Sequence, residues 1–249
     1  MRHSSRLPKI CVALGLPSTS QLLEMAEREI ESGARFFELR LDFLQNPLEG
    51  CDAIRKLLKK HPETRILATC RRHQNHGRFN GSIDEQVLIL EKAVEAGAIA
   101  VDVEIESAEV APQTVDRLRN VTDLIISYHS YSGTPPLQKL MVRMQRIPAD
   151  AYKIVTSARK PSDLMRLLAL AKEKPGVPLI LLSMGEIGFP SCVLSVKMGC
   201  LYSYAAPNTA PGTAPGQVPS EKMRSVYATE KLNRDTGIYG VIACPVKHS

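Results

Sequence analysis

The chain has 249 residues, 44% hydrophobic and 23% charged, a length and balance ordinary for one α/β barrel and long for a single sandwich. The net charge of +6 does not mark a nucleic-acid protein, because aromatic residues are 5% of the chain, Trp is absent and the basic residues form no stripe; a small anionic substrate explains local positive charge equally well. The six cysteines are scattered without metal or disulfide spacing, no apolar stretch follows the basic start, and no run of about 18 apolar residues occurs, so a cytoplasmic chain without disulfides, structural zinc or a membrane span is expected.

After an N-terminal tail over residues 1–8, short β-rich runs alternate with helical patterns. Lys9-Ile10-Cys11-Val12-Ala13-Leu14 predicts a strand, and Ser18-Thr19-Ser20-Gln21 a capping box opening an amphipathic helix through Leu22, Ala26 and Ile30. Residues 35–42 predict the second strand, 53–60 a helix and 65–70 the third strand; Ser82-Ile83-Asp84-Glu85 then caps a helix carrying Val87, Leu90 and Val94. Further strands are predicted at 98–105, 124–129, 151–155, 178–183 and 200–205, with Ser162 capping a helix that aligns Leu164, Leu167 and Leu168, and a closing helix over 221–232. Eight strands alternating with helices predict a single-domain (β/α)8 TIM barrel over residues 9–232. The alternative, an open doubly wound sheet, lacks a G-x-G-x-x-G after the first strand.

Polar residues inside such strands are informative, because parallel strands are covered on both faces. Lys153 stands alone among apolar and β-branched neighbours in Tyr152-Lys153-Ile154-Val155, so it either snorkels from a strand end or is a desolvated amine able to attack a carbonyl. Strand alternation puts Glu38, Arg40 and Asp42 on one face and Phe37, Leu39 and Leu41 on the other, which turns the charged set into the barrel, as catalytic groups or as an ion pair that only fixes the fold. Arg71 and His129 fall at the same ends of their strands, and Asp102 and Glu104 lie on the fourth. A histidine beside a reactive lysine is a natural acid/base partner.

Taken together, Glu38-Leu39-Arg40-Leu41-Asp42, Thr69-Cys70-Arg71, Ser127-Tyr128-His129, Lys153-Ile154, Ser183-Met184-Gly185 and Ala214-Pro215-Gly216-Gln217 resemble the type I 3-dehydroquinate dehydratases, (β/α)8 barrels of the shikimate pathway. The resemblance implies that Lys153 forms a Schiff base with 3-dehydroquinate and that His129 moves the protons, without cofactor or metal. It further implies that Glu38, Arg40 and Arg71 hold the ring hydroxyls and order the site, while Gln217 and Thr213 meet the substrate carboxylate. Two positions depart from the family: Asn75 stands where a glutamate orients the histidine, and Cys192 where an arginine clamps the carboxylate, a loss that Arg72 or Arg78 would have to make good. These departures keep open a catalytically weakened binding barrel, beside a third reading as another Schiff-base lyase such as an aldolase. The Pro/Gly-rich segment 207–219 predicts a lid over the mouth. Residues 233–249, with Gly240-Val241-Ile242 and Pro245-Val246-Lys247-His248-Ser249, resemble a linker and the first strand of a shikimate dehydrogenase, a truncated C-terminal stub of a bifunctional protein. The other expected partner is a second copy of the chain.

Overall fold

The computed structural model describes residues 7–173, 176–214 and 216–239. Eight parallel strands form the barrel wall: β1 (Ile10–Leu14), β2 (Phe36–Arg40), β3 (Arg65–Thr69), β4 (Ala100–Glu104), β5 (Asp123–His129), β6 (Ala151–Ser157), β7 (Leu179–Met184) and β8 (Ser203–Ala205). They pair in the order β7-β6-β5-β4-β3-β2-β1-β8, and closure comes where the chain entering β8 meets the start of β7, Leu201 N donating to Leu179 O at 2.9 Å. The fold is the predicted (β/α)8 barrel.

The helices are α1 (Thr19–Glu31), α2 (Glu49–Lys60), α3 (Ile83–Glu95), α4 (Ile105–Val110), α5 (Pro112–Val121), α6 (Leu137–Met144), α7 (Pro161–Lys172), α8 (Ser191–Lys197) and α9 (Ser220–Ser225), so the β4 crossover carries two. Ser18 and Ser82 cap α1 and α3 as expected, the second with a reciprocal capping box to Glu85. Two predicted details are corrected. Ser162 does not cap α7: Pro161, with φ preset for a first helical turn, starts the helix earlier, and the Asp163 carboxylate accepts from Arg159 N at 3.0 Å and Lys160 N at 3.2 Å. The closing helix does not run to Leu232, because α9 stops at Ser225, Ala228 turns left-handed at φ 48° and only a 3₁₀ turn at Thr229–Lys231 follows.

Strand alternation divides the apolar residues into two layers. Phe37, Leu39 and Leu41 join the layer between wall and helices, whereas Cys11, Phe36, Leu67, Ile125, Ile180 and Tyr202 belong to the inner cluster. Inward-pointing polar residues crowd the carboxyl ends of the strands, and all of Glu38, Arg40, Thr69, Asp102, Ser127 and Lys153 are buried. An apolar inner core therefore sits toward one end, and the chemistry is confined to the other. Among the described residues, no helix is long and apolar enough to cross a membrane.

Candidate active site

Lys153 enters the barrel from the middle of β6, in register with Ser127 on β5 and Ile180 on β7. With a side chain only 4% exposed, its ammonium cannot be solvated by bulk water, and an unpaired buried charge costs several kcal/mol. Three strands across the barrel supply the missing partners. Nζ donates to Asp102 Oδ2 at 2.9 Å from β4, to the Tyr204 hydroxyl at 2.9 Å from β8 and to Glu38 Oε1 at 3.3 Å from β2. The snorkelling alternative for this lysine is thereby excluded.

The carboxylates are held in turn. Glu38 accepts from Thr69 Oγ1 at 2.8 Å, and Asp102 from Ser127 Oγ at 2.6 Å. Arg71 lies 3.5 Å from Asp102 and 3.6 Å from Glu104, which also accepts from Gln86 Nε2 at 2.8 Å and Arg72 N at 3.1 Å. Burial works against ionisation of Asp102, yet Lys153 and Arg71 outweigh it and keep this carboxyl below its ordinary range. Glu104 goes the other way: burial raises it in spite of Arg71. Burial also opposes the charge on Arg71, but Asp102 and Glu104 prevail and hold the guanidinium protonated. Arg40 makes a fork to Asp42, Nε–Oδ1 2.9 Å and Nη2–Oδ2 2.7 Å, and faces the cavity from β2.

His129 closes β5 and lines the same cavity as Lys153. Burial, then the cations Arg71 and Lys153, push it well below the ordinary value of 6.5, so at neutral pH it is an imidazole rather than an imidazolium. Its Nδ1 is buried without a hydrogen-bond partner among the described residues. Asn75, at the position expected to orient it, donates from Nδ2 to Glu106 Oε2 at 2.9 Å and does not line the cavity.

The cavity is partly open to solvent at the mouth of the barrel. Thr213, Gln217 and Cys192 all line it. Gln217 is committed on one side to its own loop, Oε1 accepting from Thr213 N at 2.8 Å and Ala214 N at 3.3 Å, so only its Nε2 donor is available to a carboxylate. Pro215, within the same motif, lies outside the described residues. Burial pushes the Cys192 thiol up to about 11, leaving a neutral side chain where a cation was expected. Neither Arg72 nor Arg78 lines the cavity, and the Arg78 guanidinium instead stacks 3.9 Å from the Phe43 ring.

Lys153, His129, Glu38, Arg40, Arg71, Thr213, Gln217 and Cys192 are thus brought together, and Asn75 is not. Asp102 and Tyr204 complete the set, as does Tyr131, whose ring packs 4.1 Å from His76 at the cavity wall. The sequence signal for Asp102 is a carboxylate in the middle of an apolar strand; for Tyr204 it is the two-residue spacing from Tyr202 on a strand whose alternate residues point inward.

A family model of type I 3-dehydroquinase matches residues 10–234. The chain is 32% identical to a 3-dehydroquinate dehydratase of Dehalococcoides mccartyi over 232 residues, 92% of this chain and 98% of that one. It is also 32% identical to the chloroplastic bifunctional 3-dehydroquinate dehydratase/shikimate dehydrogenase of Arabidopsis thaliana, over 96% of this chain but 40% of that longer protein. The crystal structure of a 3-dehydroquinate dehydratase from Geobacillus kaustophilus superimposes with a TM-score of 0.79 at 24% identity, covering 90% of this chain and 91% of the other.

Proposed function

This chain belongs to the type I 3-dehydroquinase family, and on that premise we propose that Lys153 and His129 carry its reaction. The protein is a 3-dehydroquinate dehydratase of the shikimate pathway, a carbon–oxygen lyase that converts 3-dehydroquinate to 3-dehydroshikimate. The observation that carries the assignment of roles is the Lys153 amine, buried at the cavity wall with its proton acceptors already in place.

The ammonium first gives up a proton to a bonded carboxylate, and the free amine adds to the C3 ketone. Loss of water from the adduct leaves an iminium, which draws electrons from the neighbouring carbon and acidifies its C–H. Neutral His129 removes the C2 proton, the electron pair forms the C1–C2 double bond and the C1 hydroxyl leaves as water with a proton returned by His129. Water then hydrolyses the imine, frees 3-dehydroshikimate and restores the lysine. Arg40, Arg71 and Glu38 supply hydrogen bonds to ring hydroxyls, and Thr213 and Gln217 receive the carboxylate.

Three further assignments belong to the same proposal. The free, buried thiols Cys11, Cys51, Cys70, Cys192 and Cys200 support a reducing cytoplasm. The match to the plant bifunctional enzyme supports reading residues 233–249 as the approach to a dehydrogenase domain, although 240–249 lie outside the described residues. A homodimer is the expected assembly, to be checked by light scattering.

Borohydride reduction in the presence of 3-dehydroquinate tests the central claim. Mass spectrometry should find the reduced adduct on Lys153, and Lys153→Ala should abolish both adduct and turnover. An adduct on Lys160 or Lys197 would sink the assignment.

A further inference from the structure

We propose that Tyr204 is a catalytic residue, a proton carrier for the formation and hydrolysis of the imine on Lys153. The inference rests on the Schiff-base reading above and adds to it a group bonded to the lysine itself, for the passage of protons from the lysine nitrogen to the departing ketone oxygen.

The geometry is a closed circuit. The Tyr204 hydroxyl accepts from Lys153 Nζ at 2.9 Å and donates to Glu38 Oε1 at 3.3 Å, and Nζ itself donates to the same Glu38 oxygen at 3.3 Å. The phenol therefore touches the reacting nitrogen and one of the two carboxylates bonded to it at once. Its ring is fixed from behind by the Tyr202 ring, centroids 5.5 Å apart at 66°, which in turn meets Phe36 edge-on at 4.9 Å. Tyr204 is buried and lines the cavity, so a substrate carbonyl reaching Nζ arrives beside its hydroxyl. Burial, then Glu38, raise the phenol well above 10, so it rests in the protonated form and never competes with Glu38 for the charge of Lys153.

The protons balance over two transfers. Lys153 passes one proton to Glu38 and becomes a neutral amine; the nitrogen lone pair then forms the N–C3 bond while the carbonyl π electrons move to oxygen. Tyr204 gives its proton to that oxygen and takes one from the new ammonium, leaving a neutral carbinolamine. In the second transfer, Tyr204 protonates the C3 hydroxyl and is itself reprotonated by Glu38. The C–O bond breaks, water leaves, and the nitrogen lone pair closes the iminium. The three ammonium protons end as two on water and one on the imine nitrogen, Glu38 is again a carboxylate, and the total charge is unchanged. Hydrolysis runs the same path backwards.

The test is the rate at which the reducible adduct accumulates after rapid mixing with 3-dehydroquinate. His129→Ala holds the reaction at the imine and isolates this step. In that background Tyr204→Phe, which keeps the ring and removes only the hydroxyl, should slow adduct formation by about 10²–10⁴-fold, the usual contribution of a positioned acid/base. It should equally suppress exchange of the ketone oxygen of 3-dehydroquinate with ¹⁸O-labelled water, a readout that packing alone does not move. An adduct that forms at the rate of the His129→Ala parent, with unchanged oxygen exchange, overturns the role of Tyr204 while leaving Lys153 in place; no adduct in either protein overturns the Schiff-base reading instead. If Tyr204→Phe does not fold, a fluorinated tyrosine incorporated at position 204 preserves shape and alters acidity alone. Adduct formation that follows ring acidity then supports the proposal, and insensitivity to it overturns it.

Discussion

Lys153 and His129 are legible in the sequence because each violates the expectation for its strand, a lone cation in one and an imidazole at the end of the other. What the strand pattern cannot convey is pairing across the barrel. Asp102 and Tyr204 come from strands 51 residues away on either side of Lys153, and their contacts depend on stagger and side-chain reach rather than on local spacing. For the same reason Asn75 could not be excluded as a partner of His129 until its bond to Glu106 was seen. Burial of His129 beside the cations Arg71 and Lys153 has a measurable consequence. Because His129 lies below 6.5, it stays a neutral base as pH falls through that value, so the acid limb of kcat/KM should have its midpoint below pH 6.5. A midpoint at or above 6.5 contradicts this. The linked stability has a definite sign: the unfolded chain takes up the His129 proton near 6.5 while the folded chain does not. The contribution is therefore full above pH 6.5 and is lost as pH falls from there toward the folded value, a loss that His129→Gln should remove from a plot of Tm against pH. Cys192 makes the second residue-scale prediction. A hydrogen bond to a charged group is worth about 1.5–3 kcal/mol, and at 1.4 kcal/mol per decade the lost arginine corresponds to roughly 10- to 100-fold in affinity. Cys192→Arg, placing a cation on the cavity wall, should lower KM at least about tenfold with kcat little changed, the mark of restored uniform binding. An unaltered KM would mean that the carboxylate is not recognised beside α8.

Elements were read best where local chemistry decides them. Serine caps and amphipathic spacing located α1 and α3, whereas α9 ended early because Tyr227 is drawn onto Phe189, ring centroids 5.4 Å apart, a tertiary contact that helical periodicity does not encode. The β3–α3 connection shows the same limit. It doubles back so that Phe79 N donates to Arg71 O at 3.1 Å and Gly77 N to Arg72 O at 3.0 Å. This brings the backbone at Gly77 so close that a Cβ there would lie 2.0 Å from Arg71 O, and a carbonyl oxygen, unlike a flexible side chain, cannot swing aside. Gly77→Ala must therefore displace the chain at Arg71, whose guanidinium organises Asp102 and Glu104. Overpacking of this kind costs about 1–3 kcal/mol, and at roughly 2–4 °C per kcal/mol for a chain of this size Tm should fall measurably. Activity should fall with it, since Arg71 also lines the cavity. A variant with parental Tm and kcat/KM would show that the loop accommodates the methyl group without moving Arg71.

At the scale of the whole molecule, alternation of strands and helices sufficed for the barrel, because seven crossovers of that length between eight strands admit few other closed solutions. Where the barrel ends is a matter of contacts. Lys9, at the foot of β1, donates to Leu232 O; Lys197 Nζ donates to Arg234 O at 3.0 Å; and the Arg234 guanidinium covers Gly199, whose added Cβ would lie 2.5 Å from Nε. The chain through Arg234 is thus tied to both neighbours of the seam that closes the barrel, and the family match also extends to residue 234. Among the described residues that follow, Ile238 is half exposed and Tyr239 is 97% exposed. Apolar surface left in water contributes nothing to folding, so deleting residues 238–249 should leave Tm and dehydratase activity nearly unchanged. Deleting 229–249 should behave differently, because it removes the buried Thr229 together with the Leu232 and Arg234 contacts and leaves Lys9 and Lys197 without their carbonyls. Comparing the two truncations by thermal melting separates the alternatives: equal Tm values would place the end of the folded unit before Thr229, and a loss already present in the shorter deletion would make the tail part of the barrel rather than the approach to a second domain.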